Sequence, residues 1–280
     1  MPSIKIIRRR MNSVATTTKI MKAMNMVAAA KLQKDRARLE AARPFLQEAR
    51  GMISRLGGLP ADNKYFEQRE IKRSAYLVIT GDRGLCGGYN ANVVQAVLAH
   101  MDGKDEAVVA VGLKGCEAFK QQGKHILRRF DDVLETAFYE DAQRIAAYLA
   151  GVFASGEVDE VCVAYTKYKS ALVHEPQVER LLPLCPGEDG AKHIKEMRYD
   201  TGLPDFLGHA APVYLSAFVY AALLESSACE QAARMASMDT AVNNAEEITE
   251  NLTRAYNRRR QTSITQEISE LVASAGVLGE

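Results

Sequence analysis

Residues 4–56 read IKIIRRRMNSVATTTKIMKAMNMVAAAKLQKDRARLEAARPFLQEARGMISRL. Stepping alternately by three and four from Ile4 gives Ile7, Met11, Val14, Thr18, Met21, Asn25, Ala28, Leu32, Asp35, Leu39, Ala42, Leu46, Ala49, Ile53 and Leu56. Thirteen of these sixteen positions are apolar, which is the a/d seam of a coiled coil. Ser3 suits the start of the helix, and Gly57-Gly58 followed by Pro60 suits its end. Pro44 removes one backbone hydrogen bond, which predicts a bend or a short break. Otherwise the helix is about 80 Å long at ~1.5 Å per residue. A domain of this size cannot bury such a helix, so much of it is expected to project.

The other end of the chain behaves likewise. After Pro212 there is no proline, and no glycine until Gly276. Pro212 suits the first turn of a helix. Leu215, Val219, Ala222, Ser226, Cys229, Ala233 and Ala236 step by four and three, and their small side chains allow close helix approach. Two seams at opposite ends predict an intramolecular antiparallel pair. Phe206 to Leu224 contains no Asp, Glu, Lys or Arg, but its helical pattern continues through Glu225. It reads as a buried helix and not a membrane span.

Between the seams the period changes. Residues 75–80 (AYLVIT), 107–111 (AVVAV) and 161–165 (VCVAY) are short β-type runs, apolar almost throughout, as in a sheet covered on both faces. Helical patterns lie between them, at Ala91–His100, Leu113–Gln122 and Tyr139–Ser155. Such alternation predicts an α/β domain with a largely parallel sheet. Ser170–Leu184 is a further strand candidate, and residues 185–208 read as a connection. The fold class is therefore α/β: a long antiparallel coiled coil with an inserted Rossmann-like domain. The expected divisions are 1–58, 74–200 and 209–280.

The 280 residues are 47% apolar and only 7% aromatic, with ten Met and no Trp, which favours helix and excludes wholesale disorder. The formal charge of +1 is a balance of unlike parts. Residues 1–40 hold ten basic groups against Asp35 and Glu40, and residues 252–266 hold Arg254, Arg258, Arg259 and Arg260 with no acid. These stretches are either solvated helix faces or a surface for an acidic partner. No nucleic-acid reading motif accompanies them. Cys86, Cys116, Cys162, Cys185 and Cys229 are odd in number and widely spaced, so a disulfide framework is not expected.

A glycine-rich loop, Thr80-Gly-Asp-Arg-Gly-Leu-Cys-Gly-Gly-Tyr-Asn90, follows a strand and precedes a helix, where a phosphate loop would sit. It lacks Gly-Lys-Ser/Thr and the G-x-G-x-x-G spacing, and no acidic group follows the second strand. A structural turn is the better reading. Arg83 beside Cys86 offers a way to lower a thiol pKa, but no His neighbours that thiol. The five histidines form no metal pair, and no serine lies in a nucleophile elbow. No catalytic, cofactor or metal site emerges. A nucleotide-dependent enzyme with a helical arm and a free coiled-coil tether both stay open on the residues alone.

Three stretches resemble the gamma subunit of F-type ATP synthases. They are residues 19–31 (KIMKAMNMVAAAK), 82–90 (DRGLCGGYN) and 256–267 (YNRRRQTSITQE), the last preceded by 230–235 (EQAARM). The resemblance implies a rotor, with the terminal helices inside a hexamer of alternating alpha and beta subunits. The α/β domain would face the epsilon subunit and the membrane c-ring, one copy per complex. It implies no catalytic site and no cofactor in this chain. Arg260 and Gln261 match the polar pair that hydrogen-bonds a loop of the catalytic subunit. Met24 matches the methionine near the acidic lever segment of beta, with Lys22 as an electrostatic neighbour. Ile264, Ile268, Leu271 and Val272 would lie in the apolar bearing; helix-seam core is the alternative. Thr80-Gly81 and Ser274-Ala275 depart from the usual family residues, and the chloroplast cysteine insert is absent. A start at Met1 without a transit segment favours a bacterial protein, peripheral on the cytoplasmic face of the plasma membrane.

Overall fold

The computed structural model describes residues 3–55, 64–101, 103, 105–171, 173–184 and 203–277. The elements in chain order are α1 (Ile4–Arg55), β1 (Arg73–Ile79), α2 (Tyr89–His100), β2 (Asp105–Val111), α3 (Leu113–Gln121), β3 (His125–Phe130), α4 (Val133–Thr136), α5 (Tyr139–Ala154), β4 (Glu160–Tyr168), β5 (His174–Leu182) and α6 (Leu203–Val277). They form two compact units, one of residues 1–27 with 235–280 and one of residues 28–234. Both long helices contribute to each unit.

In the first unit the seam is visible as burial. Ile7 is buried, and Ile4, Met11, Val14, Thr18, Met21 and Asn25 are half-buried, while nearly every residue between them is exposed. The facing stripe on α6 runs through Met238, Val242, Ala245, Thr249, Leu252 and Tyr256, again stepping by four and three. Lys22 Nζ meets Glu246 Oε1 at 2.8 Å, and Asn25 Nδ2 donates to the Met235 carbonyl at 3.4 Å. Residue numbers rise on α1 as they fall on α6, so the pair is antiparallel. Ala236, expected in the seam, is exposed. The buried stripe takes up at Met238 instead.

In the second unit a five-stranded sheet has the order β3-β2-β1-β4-β5. β1 pairs in parallel with β2 and β4, β2 with β3, and β5 runs antiparallel to β4. This is a Rossmann-like order closed by one reversed edge strand. One face (Tyr76, Val78, Val108, Ala110) packs on α2 and α3 through Val93, Val97, Cys116 and Phe119. The other (Leu77, Ile79, Val109, Val163) packs on α5 and α6, with Leu39 and Ile53 of α1 completing the core. β1, β2 and β4 are therefore apolar on both faces, as their sequences require.

Three local expectations change. α1 is continuously helical through Pro44, so of the expected bend or short break the break is absent. Ala42, Leu46 and Ala49 pack against the core on either side, and that packing outweighs one missing hydrogen bond. α6 begins at Leu203, so Pro212 lies inside it and residues 203–208 are helix, not connection. Leu207, Ala210, Ala211 and Leu215 are buried and hold the helix on both sides of that proline. Strand β3 and the short α4 were not anticipated. Cys185 and the Gly57-Gly58 helix end lie outside the described residues.

Candidate functional site

In a sheet of this order, ligands bind at the carboxyl ends of β1 and β4, where the strand order reverses. Here α6 occupies that crevice. The Thr166 and Tyr168 amides donate to Ser226 Oγ (3.4 Å) and Glu225 Oε2 (3.2 Å), and Cys229 Sγ donates to the Thr166 carbonyl (3.5 Å). Cys86, Tyr89 and Cys229 form an apolar plug beside them. Burial pushes the Cys229 thiol well up.

The glycine loop is closed upon itself. Thr80 Oγ1 accepts the Gly115 amide and donates to the Val111 carbonyl, both at 2.9 Å. Asp82 Oδ1 accepts the Leu113 amide at 2.9 Å, and the Gly81 carbonyl accepts that of Lys114 at 3.1 Å. The first amides of α3 are thus engaged by the chain itself, and at the start of α2, the helix the loop precedes, the Tyr89 amide donates to the Cys86 carbonyl at 3.2 Å. Asn90 Oδ1 takes the Gly81 amide at 2.8 Å. A Cβ on Gly81 would lie 2.6 Å from Glu230 Oε1, so a side chain there would have to displace the Glu230 carboxylate. Glu230 is itself buried and paired with Arg234 at 2.5 Å. Burial raises its carboxyl pKa, and Arg234 pulls the other way.

Cys86 is not activated. Burial, and then the Glu230 charge, push its thiol up, while the Arg83 guanidinium faces Glu135 at 3.7 Å. Among the described residues no group of three His, Cys, Asp or Glu side chains is arranged to hold a metal. The uncharged stretch from Phe206 has the length and composition of a membrane span, but its residues 215–219 and 221–224 are buried in the second unit.

The remaining candidates sit on the first unit. Lys22 is exposed and ion-paired with Glu246, and Met24 is half-buried beside the seam. Arg260 and Gln261 are exposed neighbours on α6. Ile264, Ile268, Leu271 and Val272 are 46%, 54%, 69% and 67% exposed. They are not seam core, which corrects the alternative reading of them. The Lys22–Glu246 register explains why: continued along both helices, it brings α1 to its first residue opposite position 264 or earlier. Beyond that point α6 has no partner helix among the described residues, and after Ser263, up to residue 272, no further position is half-buried. Ile264, Ile268 and Leu271 step by four and three along one face, so an apolar stripe is left open. Lys22 and Met24 adjoin on α1, and Arg260 and Gln261 on α6. No contact joins the two groups.

These observations define a coiled-coil protein with an inserted α/β domain, one that presents helix surfaces and fills its own ligand crevice. Residues 3–278 match the family model described as ATP synthase. The chain is 40% identical over 291 aligned positions to the ATP synthase gamma chain of Heliobacterium modesticaldum, covering all of both chains. It is similar to a chain of the Tetrahymena thermophila mitochondrial ATP synthase central stalk and c-ring, with TM-score 0.63 and 27% identity, over 79% of this chain and 99% of that one. A chain of the Euglena gracilis mitochondrial ATP synthase shares the fold with TM-score 0.74 at 20% identity, over 98% of this chain and 94% of that one. The chain belongs to the gamma-subunit family of F-type ATP synthases.

Proposed function

We propose that the chain is the rotary central-stalk subunit of an F-type ATP synthase, linking ion flow through the membrane ring to ATP synthesis or hydrolysis on the beta subunits. The observation that supports this best is the helix pair itself, sealed along one seam and left apolar and exposed at the end of α6. An asymmetric pair turning inside a near-threefold ring offers each beta subunit different contacts. Each orientation then fixes a different nucleotide affinity, and the coupling runs both ways. The chain needs no catalytic group or cofactor for this, which fits a crevice occupied by its own helix.

In this reading Arg260 and Gln261 hydrogen-bond a loop of the catalytic subunit, and Ile264, Ile268, Leu271 and Val272 run in an apolar bearing. Met24 faces the acidic lever of beta. Lys22 acts there only by exchanging Glu246 for a partner's carboxylate. The alpha and beta subunits surround the helix pair of the first unit, residues 1–27 with 235–280. The epsilon subunit and c-ring contact the α/β domain of residues 74–200. One copy serves each complex, peripheral on the cytoplasmic face of a bacterial plasma membrane.

The test is the double variant Arg260→Ala/Gln261→Ala in the assembled complex. Losing two polar contacts of about 1–3 kcal/mol each lowers ATPase turnover or ATP-driven ion pumping by roughly tenfold or more. Unchanged turnover and pumping would remove these residues from the role.

A further inference from the structure

A second cleft lies at the opposite side of the sheet from β5, on the edge strand β3, two strands from β1. Its volume is about 520 Å³, within the range of small-ligand sites. Arg128 of β3 and Arg144 of α5 line it with Phe130, Asp131 and Tyr148, and Arg129 stands at its edge, turned toward Asp131 and Cys116. Arg129 is held by Asp131 at 2.7 Å, and Arg144 is paired with Asp141. Arg128 has no carboxylate partner among the described residues. Its guanidinium carbon lies instead 4.9 Å from the Phe130 ring centre and 4.8 Å from that of Tyr148, two rings that meet edge to face at 72°.

Basic side chains on an edge strand also serve to prevent unwanted strand pairing. That accounts for the charge, but not for a cation lodged between two rings above a cleft. The rings hold the guanidinium by cation–π attraction and leave its N–H fork without an acceptor among the described residues. A preorganised fork loses little entropy when it binds, and it matches the oxygens of a phosphoryl group. Arg144, already neutralised by Asp141, lends further N–H donors without adding net repulsion. A single carboxylate would leave most of the volume empty.

We propose that this cleft is an anion site for a phosphoryl-bearing small molecule or headgroup, with Arg128 as its principal ligand. The site is independent of the rotor reading.

The probe is pyrophosphate, titrated calorimetrically into the full chain, with a parallel flotation assay on vesicles of phosphatidylglycerol or of phosphatidylcholine. Saturable one-site binding with a Kd below about 1 mM is expected from the first arm if the anion is free, and selective flotation with phosphatidylglycerol if it is a headgroup. Either signal should weaken about tenfold or more in Arg128→Ala and in Arg128→Lys, which keeps the charge and loses the fork. Arg144→Gln should weaken it less. Arg128 is exposed, and circular dichroism of each variant confirms an unchanged fold before binding is compared. No saturable binding in either arm overturns the proposal, as does binding that Arg128→Ala leaves intact, since the anion then sits on the basic helix ends.

Discussion

Gly112 follows β2 with φ of 86°, and a Cβ there would lie 2.1 Å from the Thr80 carbonyl oxygen. Both the backbone region and the space exclude a side chain. Gly112→Ala is expected to destabilise the protein by about 3 kcal/mol or more, measured by denaturant unfolding; a midpoint within error of the parent would show that the crossing is not constrained. Asp35 shows what a sequence hides at this scale. It reads as one of three polar lapses in an apolar seam. In the fold it is buried and accepts the Ser227 hydroxyl at 2.7 Å, from a partner 192 positions away. No local pattern could have named that partner. Burial raises the Asp35 pKa, against Ser227, Arg38, Lys34 and Lys31, which lower it. A carboxyl with a raised folded pKa contributes stability that is full below its ordinary value and is lost as pH rises through the folded value. Asp35→Asn, which keeps an oxygen for Ser227, should therefore melt higher than the parent at neutral pH. The gap should close as pH falls toward the ordinary aspartate range. A variant less stable at every pH would contradict this.

At the scale of elements, α1 is fastened to the segment after β3 by side chains two turns apart. Lys31 meets Glu135 at 2.7 Å, and Arg38 donates to the Thr136 and Ala137 carbonyls at 2.8 and 2.5 Å. The Lys31–Glu135 pair is about two-fifths exposed at each end and contributes at most about 1 kcal/mol. Arg38 is largely covered and caps two carbonyls, so Arg38→Ala should cost about 2–3 kcal/mol. Hydrogen exchange should quicken across residues 28–40 and 133–137; unchanged protection would show that the contact is incidental. The strands covered on both faces were legible because an unbroken apolar run has few other uses. β3 was not, since HILRRF places arginines where an edge strand tolerates them and shows no alternation. The prolines misled for a related reason: propensity is local, whereas Pro44 and Pro212 sit in helices held by packing on either side.

At the scale of the whole molecule, a charge of +1 conceals a strongly basic beginning and a more acidic remainder. The two seams and the strand-helix alternation between them were enough to give the architecture, because each is a long-period pattern repeated many times. The filling of the crevice by α6 was not readable, since Ser226, Glu225 and Cys229 look like ordinary seam residues until the sheet is in place. That filling puts the chain's own helix where an enzyme of similar topology would bind a nucleotide. The most direct test is to fix the catalytic hexamer to a surface, attach a bead to this chain and observe it during ATP hydrolysis. The expected result is one-way rotation that pauses once for each catalytic site. A chain that stays fixed in the hexamer while ATP is turned over would contradict the central claim.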